Sequence, residues 1–264
     1  MGTTLLIIDP QNDFCHPEWG SLYVPGADQD MERLAAFVTY HCEHIERIIV
    51  SLDSHQRVDI SHPLWWVDEE GHNPHPFTSI GVADVVSGRW RAAHPKEQGP
   101  SLQYLKQLDT SDRYPHVIWP EHCLIGHRGH NVWPSLHTAM GDWEAKKQTR
   151  VHYVTKGTNP RTEHFSAIRA EVIDPNDPAT APQTDLTQKL RDADMLLIAG
   201  EARSHCVANT VRDLVAIHPE IVGRATLLSD TTSDVPGFEA LGDAFVSELS
   251  QAGMQIRTTQ TFGS

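Results

Sequence analysis

The sequence predicts an α/β protein: a doubly wound, Rossmann-like, mostly parallel sheet of about six strands with helices on both faces. Three observations predict it. Short apolar runs recur along the chain, of the kind that strands buried on both faces require. Stretches with helical spacing separate most of them. Nearly every run ends in or near a polar, reactive residue. In a parallel sheet those ends gather on one rim, where ligands bind.

Residues 4–8 (TLLII) read as the first strand and end at Asp9. Residues 28–43 follow as a helix, with Met31, Leu34, Ala35 and Val38 on one face. Residues 45–52 (IERIIVSL) form the second strand and end at Asp53. Residues 116–119 (HVIW) are the third, ending at Pro120, and 151–155 (VHYVT) the fourth, ending at Lys156. Residues 195–199 (MLLIA) are the fifth, closed by Gly200, and 225–228 (ATLL) the sixth, shortly before Asp230. Helices are expected near 134–147, 185–192, 206–217 and 238–252. Residues 63–115 break the alternation and are dense in proline, glycine, histidine and tryptophan. They are expected to be an insertion or lid beside the rim, with a helix at 101–108. The stretch 174–184 (DPNDPATAPQT) reads as an exposed loop.

The totals bound the function. At 264 residues the chain can bury one sizeable core, so residues 1–264 are expected to be a single domain with 63–115 inside it. A formal net charge of −14 argues against nucleic acid and anionic membrane surfaces as partners. No window approaches 18 uninterrupted apolar residues, so no transmembrane helix is expected. The first apolar run lacks a basic flank and a cleavage site, which argues against a signal peptide. Four cysteines (15, 42, 123 and 206) in such a chain suggest free thiols and a cytoplasmic location. Seventeen histidines direct attention to metal-ligand spacing.

Cys206 follows a strand and a glycine turn, at the start of a helical stretch. Unpaired N–H groups at a helix start favour a thiolate and can hold a developing oxyanion. Cys206 can also be read as a small buried hydrophobe. A nucleophilic cysteine needs a base and a charge partner, and Asp9 and Lys156 lie at predicted strand ends on the same rim. Read singly, Asp9 could be a loop cap and Lys156 a solvated lysine. For metal, Asp53 and His55 stand at i and i+2 of an extended segment and point the same way. His122 follows another predicted strand. One Asp and two His suit zinc, iron or manganese and leave positions open for water or substrate. Among seventeen histidines, a chance D-x-H is also easy to find. Asp59 and His62 are further ligand candidates.

These residues stand in motifs that resemble the nicotinamidase/pyrazinamidase branch of the isochorismatase-like cysteine hydrolases. The motifs are LIIDPQNDFC (ending at Cys15), LDSH (52–55), WPEHC (119–123), VTKGTNPRTEHFSA (154–167) and GEARSHCVANT (200–210). They occur in the family's order and cover the chain apart from 63–115. The resemblance implies a catalytic triad of Asp9, Lys156 and Cys206, and metal ligands Asp53, His55 and His122. It implies a cis peptide at Glu201–Ala202, with the N–H groups of Ala202 and Cys206 as an oxyanion hole. Phe14 and Trp119 match aromatic positions that flank a flat ring, and Phe165 falls near a family tyrosine.

The chain departs from the family at 63–115, at Asp59, where many nicotinamidases have a histidine, and at Glu201 and His205, which make an unusually polar turn. The function so implied is metal-assisted hydrolysis of nicotinamide to nicotinate and ammonia through a thioester. Zinc is the first expectation for the metal, with iron or manganese as alternatives. A small-molecule amide substrate and a homo-oligomer are expected. The rivals are a related hydrolase acting on another amide, carbamoyl or ureido substrate, and a silent homologue that only binds a small molecule. The intact Asp-Lys-Cys set argues against the second.

Overall fold

The computed structural model describes residues 2–111 and 114–262. Six strands form one parallel sheet: β1 (Thr3–Ile8), β2 (Ile45–Asp53), β5 (His152–Lys156), β6 (Met195–Gly200), β7 (Ala225–Leu228) and β8 (Gln255–Arg257). Their order is β5-β2-β1-β6-β7-β8. The chain winds outward in both directions from β1 and β6, so the switch point lies between these two central strands. All six residues of β6 except Met195 are buried, and so are Leu5 to Ile8 of β1. Strands covered on both faces have no solvent side, which is why they read as unbroken apolar runs.

Helices cover the sheet. α1 (Asn12–Cys15) follows β1, and α2 (Ala27–Tyr40) turns Met31, Leu34, Ala35 and Val38 into the core. α2 packs against α5 (Pro134–Lys147), which buries Leu136, Met140 and Trp143. α6 (Thr184–Arg191), α7 (Ala208–Ile217) and α8 (Glu239–Ala252) complete the cover. Apart from α1, these helices fall where helical spacing predicts them. α5 has the expected bounds because Pro134 starts it at a favoured first position.

Two expectations are corrected. Residues 116–119 are not a strand of the sheet. Val117 makes only an isolated bridge to Ser79, and Ile118 N–H donates to Thr78 O at 2.8 Å. Trp119 N–H donates to Ser61 O at 2.8 Å. The segment is apolar because it is buried beside the insertion, not because it pairs in the sheet. The sixth strand is instead β8. It has three residues and lies at the sheet edge with exposed Gln255 and Arg257, so it carries no continuous apolar signal.

The segment 63–115 has its own order. It contains a two-stranded antiparallel ribbon, β3 (Trp66–Val67) with β4 (Arg91–Ala92), and helices α3 (Val82–Val86) and α4 (Gln98–Asp109). α4 contains the helix expected at 101–108. A second hydrophobic cluster, including Trp65, Trp66, Ile80, Leu105 and Ile118, sits beneath it. Both tryptophans are satisfied: Trp65 Nε1–H donates to Ser101 Oγ at 2.9 Å and Trp66 Nε1–H to Ile60 O at 2.8 Å.

His116 is buried beside this cluster, and its Nε2 has no hydrogen-bond partner. Burial pushes its imidazole down to about 4. Between that value and the ordinary 6.5, the unfolded chain binds more protons than the folded one. Stability should therefore be full above about pH 6.5 and fall as pH drops toward 4, by up to ~3 kcal/mol from this group. Urea midpoints measured from pH 4 to 7 for the protein and for His116→Gln would test this. An equally steep acid loss in the variant would remove His116 as the cause.

Candidate active site

Four strand ends build the site. Asp9 follows β1, Asp53 ends β2, Lys156 ends β5, and the turn after β6 carries Cys206. Strand register aligns Asp53 with Lys156 and Ile8 with Gly200. Gly200 has φ +107°, and a Cβ there would stand 2.0 Å from Ile8 O. Only glycine lets the turn leave the sheet so close to β1. Cys206 lies in a wide π-type turn, Arg203–Val207, that leads into α7. His205 and Val207 N–H both donate to Ala202 O, at 3.0 and 3.1 Å. The Glu201–Ala202 peptide is cis. Among the described residues the Ala202 N–H has no hydrogen-bond acceptor.

Lys156 is the hub and is only 2% exposed. Its Nζ lies 2.9 Å from Asp9 Oδ2, 3.0 Å from Asp53 Oδ1, 2.8 Å from His164 O and 3.7 Å from Cys206 Sγ. Burial disfavours its ammonium, but Asp53 and Asp9 outweigh that and hold it protonated. Asp9 Oδ1 accepts a 2.6 Å hydrogen bond from Ser51 Oγ. Burial raises the Asp9 carboxyl against the pull of Lys156, and Asp53 adds to the rise. The thiol departs from the helix-start expectation. Burial pushes Cys206 well above the usual thiol range, Asp9 and Asp53 push the same way, and Lys156 opposes them. The resting thiol is therefore protonated and needs a base.

Asp53, His55 and His122 are buried, and their ligand atoms lie within 4.8 Å of one another. His55 Nδ1 is 3.0 Å from Asp59 Oδ2, and His122 Nδ1 is 2.8 Å from Pro120 O. Each outer nitrogen is thus tied, and each Nε2 turns toward Asp53 Oδ2, at 3.0 and 3.3 Å. One carboxylate and two imidazoles oriented in this way fit a divalent metal. Asp59 and His62 stand behind the histidines. Asp59 Oδ1 is held by Ser61 N–H at 3.0 Å and Ser61 Oγ–H at 2.8 Å. His62 Nε2 lies 3.3 Å from His122 Nδ1. Gly157 has φ +80°, and a Cβ there would stand 2.9 Å from Asp53 Oδ1 and 3.2 Å from His55 Cε1. A side chain would crowd both ligands.

A cavity opens between these two groups. Asp53, His122, Ala202 and Cys206 line it, and so do the three aromatic residues picked from the sequence, Phe14, Trp119 and Phe165. Phe14 meets His122 edge-on at 5.5 Å between centroids, and Trp119 meets Phe165 at 6.3 Å. The site thus joins a thiol, a carboxyl, an ammonium and a metal-ligand set around a small aromatic-walled space.

No protein-family model matches the chain. Over 216 residues it is 27% identical to the nicotinamidase of Escherichia coli (strain K12), covering 81% of this chain and 76% of that protein. Over 235 residues it is 25% identical to the nicotinamidase of Saccharomyces cerevisiae, covering 88% of each. Along most of its length the chain is thus similar to nicotinamidases. The same fold occurs in the yeast nicotinamidase Pnc1p bound to the inhibitor nicotinaldehyde, with a TM-score of 0.66 at 20% identity over 97% of this chain and 99% of that one. It recurs also in the pyrazinamidase of Pyrococcus horikoshii in complex with zinc, with a TM-score of 0.57 at 18% identity over 98% and 99%. Among the described residues, no helix is long and apolar enough to cross a membrane.

Ser51, Asp13 and Glu163 are among the site residues not singled out from the sequence. Ser51 is a lone hydroxyl in an apolar strand, on the same face as Asp53, and that exception was a readable signal. Asp13 Oδ2 accepts from Cys123 N–H at 2.6 Å and fixes the loop after His122. Glu163 lines the cavity, and its Oε2 accepts from Trp119 Nε1–H at 3.2 Å. Neither of the last two had a local signal, because their partners lie 110 and 44 residues away.

Proposed function

We propose that this chain hydrolyses the carboxamide of nicotinamide to nicotinate and ammonia, with Cys206 as nucleophile. The observation that carries this reading is the position of Lys156 Nζ, within reach of Asp9, Cys206 and Asp53 at once. Asp9 takes the Cys206 proton, and the thiolate attacks the carboxamide carbon. The N–H groups of Ala202 and Cys206 receive the developing oxyanion, each worth about 3–4 kcal/mol in the transition state. Asp9 returns the proton to the departing nitrogen, and ammonia leaves a thioester on Cys206. Water then gives its proton to Asp9 and attacks the thioester carbon. Collapse releases the carboxylic acid, which loses its proton to solvent as nicotinate, and Asp9 reprotonates the thiolate.

Lys156 stays charged throughout and balances Asp9 and the thiolate in turn. Asp53, His55 and His122 hold a divalent metal in this reading, and the zinc in the Pyrococcus horikoshii structure favours zinc. When bound, the metal supplies a Lewis-acid contact for a ring nitrogen. Phe14, Trp119 and Phe165 hold the flat ring. The whole chain works as one hydrolase domain, with 63–115 as an insertion whose Phe77 meets Trp119 edge-on at 5.9 Å.

Purified protein should release ammonia and nicotinate in equal amounts and carry about one metal per chain by elemental assay. Chelation should lower kcat/KM by about 100-fold, since a bound metal supplies several kcal/mol, and added zinc should restore it. No ammonia from nicotinamide, in a metal-loaded protein that turns over another amide, would reject nicotinamide and leave the cysteine-hydrolase reading standing.

A further inference from the structure

Glu201 is a polar departure in the turn after β6 that the hydrolytic steps do not use. It is 0% exposed and stands one residue before Ala202, whose N–H receives the oxyanion. Its N–H donates to Ile8 O at 2.8 Å, and its Oε2 accepts from Ser233 N–H at 3.0 Å. Ser233 O accepts from Arg203 N–H at 2.8 Å, so the residues on both sides of Ala202 are tied to Ser233. Ser233 Oγ in turn donates to Asp30 Oδ2 at 2.6 Å. Asp30 belongs to α2, is buried, and its Oδ1 accepts from Arg33. Glu201 Oε1 is sealed in the interior with no donor facing it among the described residues. What stands within hydrogen-bond reach of this carboxyl is the carboxyl of Asp30. Two carboxyl groups that close repel unless a proton lies between them. The groups around the pair leave no cation free for a second charge. Arg33 pairs with Asp30, and Arg203 is held by Asp234 and Asp243. On α1, burial and the carboxyls of Glu201, Asp30 and Asp28 push the Cys15 thiol well above the usual thiol range, so it stays neutral.

We propose that Glu201 and Asp30 share one proton and act as a positioning pair that holds the Ala202 N–H where the oxyanion forms. The inference rests on the amide-hydrolase reading above and adds two residues that do not line the cavity. Burial first, and Asp30 next, push the Glu201 carboxyl well above the usual carboxylate range. The pair is expected to keep its proton near neutral pH and to lose it on the alkaline side, where buried carboxyls titrate at about 8–9. That titration belongs to the pair rather than to either residue. Loss of the proton puts two like charges on one dry contact, and both carboxylates grip Ser233. Their repulsion pulls on Ser233 from two directions, and residues 201–203 shift with it. Neither carboxyl gives a proton to the substrate or to Cys206.

The test measures kcat and KM for nicotinamide from about pH 6 to 10, a span that covers buried carboxyls, in the protein, in Glu201→Gln and in Asp30→Asn. Each value is taken relative to the same protein near pH 7. Glutamine keeps the shape and a donor toward Asp30 at every pH; asparagine leaves Glu201 as the single charge. The parent kcat should fall by about 100-fold across an alkaline limb, the size of losing one oxyanion donor, with KM little changed. Both variants should lack that fall. Two further readouts need no turnover. Difference infrared spectra near pH 7 should show a protonated carboxyl in the parent that Glu201→Gln removes. The Ala202 amide resonance should move across the same limb in the parent and stay still in both variants. An alkaline limb that is absent, or that both variants share, would overturn the inference and leave the hydrolase reading intact; so would a missing carboxyl band. A moving Ala202 amide in a protein that hydrolyses no amide would uphold the grip of the pair on the turn and reject the hydrolase reading instead.

Discussion

Cys206→Ala is expected to lower kcat for nicotinamide by about 10⁴-fold or more while leaving the protein folded. The substitution removes one sulfur atom from a buried turn whose backbone is held by Ala202 O and by Asn209 Nδ2–H donating to His205 O at 2.9 Å. Lys156 keeps its three oxygen partners without the sulfur. The stability loss should therefore stay within about 1–2 kcal/mol, in the low range for large-to-small changes. Steady-state ammonia release and a urea melt measure the two quantities on one sample. Activity within tenfold of the parent would remove Cys206 from the mechanism. Loss of activity together with loss of the folded state would leave Cys206→Ser as the deciding variant, since it keeps volume but is a far weaker nucleophile without a tuned base.

Lys156→Met should damage both stability and activity, and the two can be separated. The ammonium sits between two buried carboxylates, at 2.9 Å from Asp9 and 3.0 Å from Asp53. Removing one member of such a buried cluster leaves charges without compensation, at a cost of about 3–5 kcal/mol. Adding Asp9→Asn to Lys156→Met removes one of the stranded charges. The double variant should regain part of the lost stability, because contacting charges couple rather than add. It should regain no activity, because the proton acceptor for Cys206 is then gone. A single variant destabilised by less than about 1 kcal/mol would mean that Lys156 is not the charge that makes this rim possible.

Much of the rim was legible because it follows from the strand pattern. A buried parallel strand announces itself as an apolar run, and its carboxyl end is where the run stops, so Asp9, Asp53 and Lys156 could be put on one edge. The D-x-H spacing was equally direct, since alternate residues of an extended segment share a face. The environment of the thiol was not legible. The argument from a helix start considers local dipoles, whereas burial and two carboxylates from distant strands set the outcome. The segment 116–119 misled for a related reason: apolar character reports burial, not the identity of the hydrogen-bonding partner. β8 escaped notice because an exposed edge strand has no need of an apolar run. Asp59 read as a further ligand candidate, and its contact with His55 Nδ1 gives it an orienting place behind the site.

His122 reaches the rim from a segment stitched to the second hydrophobic cluster, through Ile118 to Thr78 and Trp119 to Ser61. Asp53 and His55 come from the main sheet and the chain just beyond it. The segment that carries His122 is therefore held from both sides, since Trp119 and Cys123 pack in the main core and the backbone of Cys123 and Ile125 bonds that of His55. A substitution among Trp65, Trp66 or Leu105, remote from any ligand atom, would reach the site through this shared segment and be read as weaker metal retention.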